Sequence, residues 1–242
     1  MDLSTLKTWP IVPTKFDKQK YLKAWYEKRF FYNWKKTYGY KENPHRCEIS
    51  YNLAKPFIKK FNRCLDIGCR DGEFTRWLES DFKHTYCFDV TRSRFFEWNV
   101  PVNRGTTTLF TCALSHEAGM KPKKHLVKEK DKRSNVRGKH TTFSEDDIRK
   151  VKNVGIPDRC FTLDSFHLGK IDFIKIDVDG GELQVFQGAK ETILKSRPVI
   201  LMELERPIQY EAMQYLIENY NYKQATTLDD HDQDVVLIYE EK

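Results

Sequence analysis

No stretch of this 242-residue chain is apolar for long enough to cross a bilayer. The longest apolar runs, Pro198 to Met202 and Val235 to Tyr239, have strand length, far short of the ~20 residues a spanning helix needs. The start, Met1-Asp2-Leu3-Ser4-Thr5-Leu6-Lys7, lacks the basic segment and following apolar stretch of a secretory leader. With 32% charged residues, the expectation is a soluble, cytoplasmic protein with no membrane partner. The six cysteines contain no C-x-x-C pair. Cys64, Cys87 and Cys112 fall in predicted strands, where a thiol acts as a small buried hydrophobe. Cys47, Cys69 and Cys160 have no metal-type spacing, so all six are expected to be reduced. The seven histidines lack any H-x-x-x-H pair. A Gly-Lys-Ser/Thr phosphate loop, a strict G-x-G-x-x-G and an internal repeat are also missing, so phosphate cradling by the glycine loop at Gly68–Gly72 is not indicated.

What is present is uneven charge. The formal net charge is +7, yet residues 1–60 carry an excess of about nine positive charges and residues 120–152 about seven, leaving the remainder acidic. Two basic segments outside an acidic core suit an anionic partner, nucleic acid included, and equally suit solvated helix faces.

Periodicity divides the chain. Residues 15–37 read as a helix with Trp25, Phe30 and Trp34 on one stripe. A second helix is expected from Pro44 to Lys60 with Ile49, Leu53, Phe57 and Phe61 on one face. From residue 63 strand and helix alternate. Strands are predicted at Arg63–Ile67, His84–Phe88, Thr107–Leu114, Ile171–Ile176 and Val199–Leu204. Helices are predicted at Gly72–Ser80, Arg92–Asn99, Glu182–Lys195 and Pro207–Asn219. Tyr222–Thr227 and Val235–Tyr239 close the chain as an antiparallel hairpin. The alternation implies an α/β, doubly wound, mostly parallel sheet. Residues 1–61 form a helical extension packed on the core, with exposed aromatics that suit a homodimer. Residues 62–242 form the α/β domain, interrupted by a basic insertion at 115–158 that suits a substrate-gripping lid.

Two strand ends carry the chemistry. Asp172-Phe-Ile-Lys-Ile-Asp177-Val-Asp-Gly-Gly-Glu182 is an apolar strand that ends in carboxylates and a glycine pair just before a helix. Cys64-Leu-Asp66-Ile-Gly68-Cys69-Arg70-Asp71-Gly72 is a second strand-to-glycine loop, and about twenty residues later the next strand ends in Asp89-Val90. An acidic residue there can accept both hydroxyls of a ribose.

In this order the residues resemble a known family. Asp66-Ile-Gly68-x-x-x-Gly72, Asp89, Ala113-Leu-Ser115 with Gly119, Ile174-Lys175-Ile-Asp177-Val-Asp179-Gly180-x-Glu182, Gly188-Ala189 and Pro198-Val-Ile-Leu-Met-Glu203 look like the FkbM methyltransferases, which depend on S-adenosylmethionine. The resemblance runs over about residues 62 to 240 and finds no counterpart for residues 1–60 or the insertion. It implies a seven-stranded sheet of order 3-2-1-4-5-7-6, with the cofactor over the ends of strands 1 and 2. Asp66, Gly68, Cys69 and Arg70 would then border its methionine portion, Asp89 and Val90 its ribose, and Cys112 and Ala113 its adenine. Family members usually carry Gly-Ala-Asn-x-Gly in the first loop, so Arg70 replaces a small polar group, and Asp89 stands where Glu is commoner.

The reaction so implied is O-methylation of a hydroxyl on a small molecule, sugar or glycan. Asp177, which would also border the cofactor, is the first choice to orient the acceptor or remove its proton. Glu203 can face it from the next strand end, and Lys175, on the same strand face, can neutralise one of the two. His116 is a candidate acceptor contact. So are Asp179 and Glu182, which equally suit the N-terminus of a helix. Asp177, Asp179 and Glu203 are of a type that Mg²⁺ accepts, although their spacing does not require a metal. Two alternatives compete. One is a methyltransferase for RNA ribose 2′-hydroxyls, using the basic segments and Lys175, Asp177 and Glu203. The other is a cofactor-binding fold kept as an interaction module.

Overall fold

The computed structural model describes residues 8–9, 46–70, 72–90, 96, 100, 106–119, 160–204, 207–227 and 234–241. The expected helix at 15–37, the insertion beyond residue 119, the turn at 228–233 and all of Arg92–Asn99 but Phe96 lie outside these residues.

Eight strands of the described chain make one sheet, in the order β1-β4-β3-β2-β7-β8-β10-β9. These are β1 (Thr8–Trp9), β2 (Arg63–Ile67), β3 (His84–Asp89), β4 (Thr107–Thr111), β7 (Phe173–Ile176), β8 (Val199–Glu203), β9 (Tyr222–Thr227) and β10 (Asp234–Tyr239). From β4 to β9 this is the expected seven-stranded order. The β4-β3-β2-β7-β8 block is parallel, and β10 runs antiparallel to both β8 and β9. The sequence offered no sign of β1, which pairs antiparallel with β4 through Thr8↔Phe110 and Trp9↔Leu109.

Helices cover both faces. α1 (Arg46–Ala54) and α2 (Thr75–Asp81) pack with Cys64, Phe173, Leu201 and Val236 on one side. On the other side, α3 (Glu182–Gln187), α4 (Lys190–Ser196) and α5 (Pro207–Tyr220) bury a larger core. It contains Leu65, Ile67, Ile174, Ile176, Ile200 and Leu237. Successive strand residues point to opposite faces, which is why alternating members of β2 and β7 sort into the two cores.

Three expected elements break, each for a physical reason. The helix predicted over Pro44–Lys60 is α-helical only to Ala54. A short 3-10 turn, Lys55–Phe57, follows because Pro56 cannot donate a backbone hydrogen bond. The strand predicted over Thr107–Leu114 stops at Thr111, where the Cys112 amide turns to donate to Asp89 O (2.8 Å). β5 (Ala113–Leu114) instead pairs in parallel with β6 (Cys160–Phe161), a small sheet that pattern reading did not anticipate. The helix predicted over Glu182–Lys195 divides at Gly188, where a Cβ would stand 2.1 Å from the Ser115 carbonyl oxygen. A side chain there is incompatible with the contact between the α3–α4 joint and the segment after β5.

All six cysteines are free. Among the described residues no helix is long and apolar enough to cross a membrane.

Candidate active site

The carboxyl ends of β2, β3, β7 and β8 lie side by side, and β2 and β7 are neighbours although about a hundred residues apart. Chain order reverses there, which is where open α/β sheets form their crevices. The β2 and β7 loops are in backbone contact. Gly68 has φ +81, and a Cβ on it would lie 1.8 Å from the Asp177 carbonyl oxygen. The glycine thus serves a close backbone approach between two loops of the chain, beyond the sharp turn read from the sequence. The Gly68 and Cys69 amides both donate to Phe88 O, and the Asp177 amide donates to Ile67 O (3.0 Å), so three strand ends are tied together.

Beneath this junction is a buried charge cluster. Asp66 and Lys175 are register partners in the parallel β2–β7 pair, on the α1/α2 face. Asp66 is fully buried, with Oδ2 accepting from Thr75 Oγ1 (2.5 Å) and Oδ1 lying 3.8 Å from Lys175 Nζ. Lys175 Nζ also lies 3.5 Å from Asp177 Oδ2 and 3.4 Å from Gly68 O, and 5.6 Å from the centre of the Phe74 ring. Its side chain is 11% exposed, against 41% for Asp177. Burial raises the Asp66 pKa, and the opposing pull of Lys175 and Thr75 only partly offsets it. For Lys175, burial works to lower the pKa, but the carboxylates of Asp177 and Asp66 outweigh it and the net displacement is upward. Lys175 is therefore a permanent cation with one buried and one half-exposed counterion. Thr75 and Phe74 were not read as part of the site, since they sit inside an ordinary helix start.

Glu182 organises the next loop. It is buried, and its Oε1 accepts from the amides of Val178 (3.1 Å) and Gly180 (3.3 Å) and from Gln209 Nε2 (3.4 Å). Its expected place at the acceptor gives way to one under the loop, because its Oε1 is turned onto backbone N–H groups. Asp179 (φ +58) and Gly180 (φ +108) take left-handed conformations, with Asp179 exposed at the loop tip.

The remaining candidates divide between surface and interior. Asp89 Oδ2 accepts from the Arg70 amide (2.8 Å), which joins the β3 end to the β2 loop, and Val90 is exposed beside it. Asp66 and Cys69, expected to border a cofactor, are buried under the loop. Cys69 packs with Cys87, Phe96, Val100 and Leu109. Their side chains shape the loop and offer no outward face. Cys112 and Ala113 are likewise buried, so only their backbone can border a ligand. His116 is exposed after β5, with Nδ1 3.4 Å from Ser115 Oγ. Glu203 is half-buried at the end of β8, directly across from Asp234 of β10, and Asp234 accepts a hydrogen bond from Ser50 of α1. Asp234 was missed because only the antiparallel return of β10 brings it there. Among the described residues no three His, Cys, Asp or Glu side chains group closely enough to hold a metal, so Asp177, Asp179 and Glu203 do not converge on one.

The model of the methyltransferase FkbM domain matches residues 29–224. The chain belongs to the FkbM methyltransferase family. The match begins well before β2 and takes in α1, so family likeness reaches further toward the N-terminus than the motifs alone implied. No protein of curated function matches the chain. Among solved structures, methyltransferase FkbM from Methylobacillus flagellatus KT is similar at 13% identity and a TM-score of 0.48. It covers 74% of this chain, which spans only 43% of that protein's length. An rRNA methylase from Streptococcus thermophilus is similar at 10% identity and a TM-score of 0.43. For that methylase the coverage is 83% of this chain and 99% of its own. SMU.1697c from Streptococcus mutans, solved in complex with SAH, is similar at 11% identity and a TM-score of 0.43, covering 81% and 99%. The FkbM assignment rests on the sequence match.

Proposed function

We propose that this FkbM-family protein is an S-adenosylmethionine-dependent O-methyltransferase whose acceptor is a sugar or glycan hydroxyl. The observation that supports it most is Asp177. Its half-exposed carboxylate stands at the switch point of the sheet, with a buried lysine 3.5 Å behind it.

The residues at the strand ends fit the cofactor. Asp89, at the end of β3, is the type of acceptor a ribose diol needs, and its attachment to the Arg70 amide holds it beside the β2 loop. The carboxylates of Asp89 and Asp177 also suit a ligand that carries a sulfonium cation. When bound, the cofactor supplies an activated methyl group on positively charged sulfur. Asp177 would orient the acceptor hydroxyl and take its proton when that oxygen receives the methyl group. Lys175, Asp66 and Thr75 hold Asp177 from below, and Glu182 holds the loop that follows it. Glu203 stands one strand over and completes an acidic rim. Alignment of this kind and base assistance of ~10²–10⁴-fold are the terms the protein contributes.

The experiment is calorimetric titration with S-adenosylmethionine and SAH, followed by SAH release assays on sugar acceptors and on RNA. Asp177→Asn is expected to lower kcat by about 10²–10⁴ while SAH affinity is unchanged. Asp89→Ala is expected to weaken SAH binding. An Asp177→Asn enzyme of normal kcat removes the residue from this role. Turnover of RNA in preference to sugars replaces the acceptor with a ribose 2′-hydroxyl, and absence of any cofactor binding leaves an interaction module.

A further inference from the structure

The opposite end of the sheet holds a second concavity, of about 510 Å³, at the amino ends of β2, β3 and β7. Four of its lining residues, Lys60, Arg63, Lys83 and Lys170, are basic. None of the four forms an ion pair with a described residue. The lining holds one carboxylate, Asp172, whose Oδ2 accepts from the amides of two other lining residues, Asn62 (2.8 Å) and Arg63 (3.2 Å), at the entry to β2.

Two of the lining groups are built into position. Arg63 Nη1 donates to Leu168 O (3.4 Å), and the turn above it is a glycine, Gly169, where a Cβ would stand 2.5 Å from that nitrogen. The His84 ring lies 4.4 Å, centre to centre, from the Tyr86 ring, and its Nε2 is 2.9 Å from Thr108 Oγ1. The imidazole is thereby fixed in the wall of the concavity, next to the cations. The four are exposed side chains, and like charges gathered around one hollow repel each other unless an anion occupies it.

We propose that this concavity binds a small, multiply charged phosphate ligand, such as pyrophosphate or the polyphosphate of a nucleotide, at a site separate from the candidate active site. The volume falls within the range of small-ligand pockets. Arg63 is the group suited to bidentate phosphate contact, and the lysines act as point charges around it. Roughly five strand residues at ~3.3 Å each separate the two ends of the sheet, so a ligand here does not reach Asp177.

The test is calorimetry on the full chain with inorganic pyrophosphate, at low and at raised salt, with sulfate as the comparison anion. Saturable one-to-one binding that weakens with salt is expected, with sulfate much weaker. The Lys60→Gln/Lys170→Gln double variant should lose about tenfold or more in affinity, as expected when charge-assisted contacts are removed. Lys83→Gln should lose less, and Lys190→Gln on α4 should lose nothing. Pyrophosphate should move the His84 ring resonances and leave SAH affinity unchanged. The proposal is overturned by any of four results: no saturable binding, equal binding of sulfate, equal losses in Lys190→Gln, or an RNA oligonucleotide that outcompetes pyrophosphate through the same residues. Circular dichroism of the variants separates lost binding from lost fold.

Discussion

Lys175 decides the electrostatics of the acidic strand ends. Asp66 has no exposed surface, so its ionised form depends on the ammonium 3.8 Å away and on the Thr75 hydroxyl. Replacing the lysine by Met, of similar length, leaves a buried carboxylate without its cation, and a loss of about 3–5 kcal/mol is expected. The pH dependence follows from the direction of each shift. The Lys175 pKa is raised in the folded state, so its contribution is complete below its ordinary value of about 10.4 and is lost only as pH climbs through the higher folded value. The Asp66 pKa is also raised, so its contribution is present in acid and is lost as pH rises through the folded value. Lys175→Met should therefore gain stability, relative to wild type, on going from neutral pH toward about pH 5, as Asp66 takes up a proton. Urea midpoints measured across that range check this, and a variant whose deficit stays constant would contradict it.

At the scale of elements, short helices are held by side chains from elsewhere in the fold. α4 has only seven residues and an Ala at its N-cap, with no side-chain cap of its own. Asp164, from the short 3-10 turn Leu163–Phe166, supplies what is missing: its oxygens accept from the Glu191 amide (2.9 Å), the Thr192 amide (2.9 Å) and Thr192 Oγ1 (2.7 Å). Asp164→Ala should cost about 1–2 kcal/mol, the usual loss for a removed cap, read from denaturant unfolding. An unchanged midpoint would mean that water replaces the carboxylate fully. Glu182 performs the same service for the Asp177 loop from inside a helix. Its place four residues after Val178 was visible as a carboxylate at a helix start, but its burial was not.

Among the described residues the outer edge of the sheet is paired, at Leu109 and Phe110, by a two-residue strand from far upstream. β1 covers the outer edge of β4, which would otherwise present unpaired backbone groups. Removal of residues 1–9 is expected to speed amide hydrogen exchange in β4 while β2 and β7 keep their protection. Equal exchange in both forms would show that β1 contributes nothing to the edge. The candidate active site and the basic concavity occupy opposite ends of the same strands, so each can be altered without changing the register that builds the other.

Several features were legible because they depend on local order along the chain. The alternation of strand and helix, the apolar runs of β2, β7 and β8, and the glycine after each of the first two dictate a doubly wound sheet with carboxylates at its strand ends. Asp89 and Asp177 followed from position alone. Other features arise only when distant segments meet. Gly68 is required by the Asp177 carbonyl, Gly188 by the Ser115 carbonyl, and Asp66 turns inward because Lys175, about a hundred residues later, is its register partner. Local sequence fixes which backbone shapes are affordable, whereas burial and charge pairing are properties of neighbours across the sheet, and those neighbours are set by the fold.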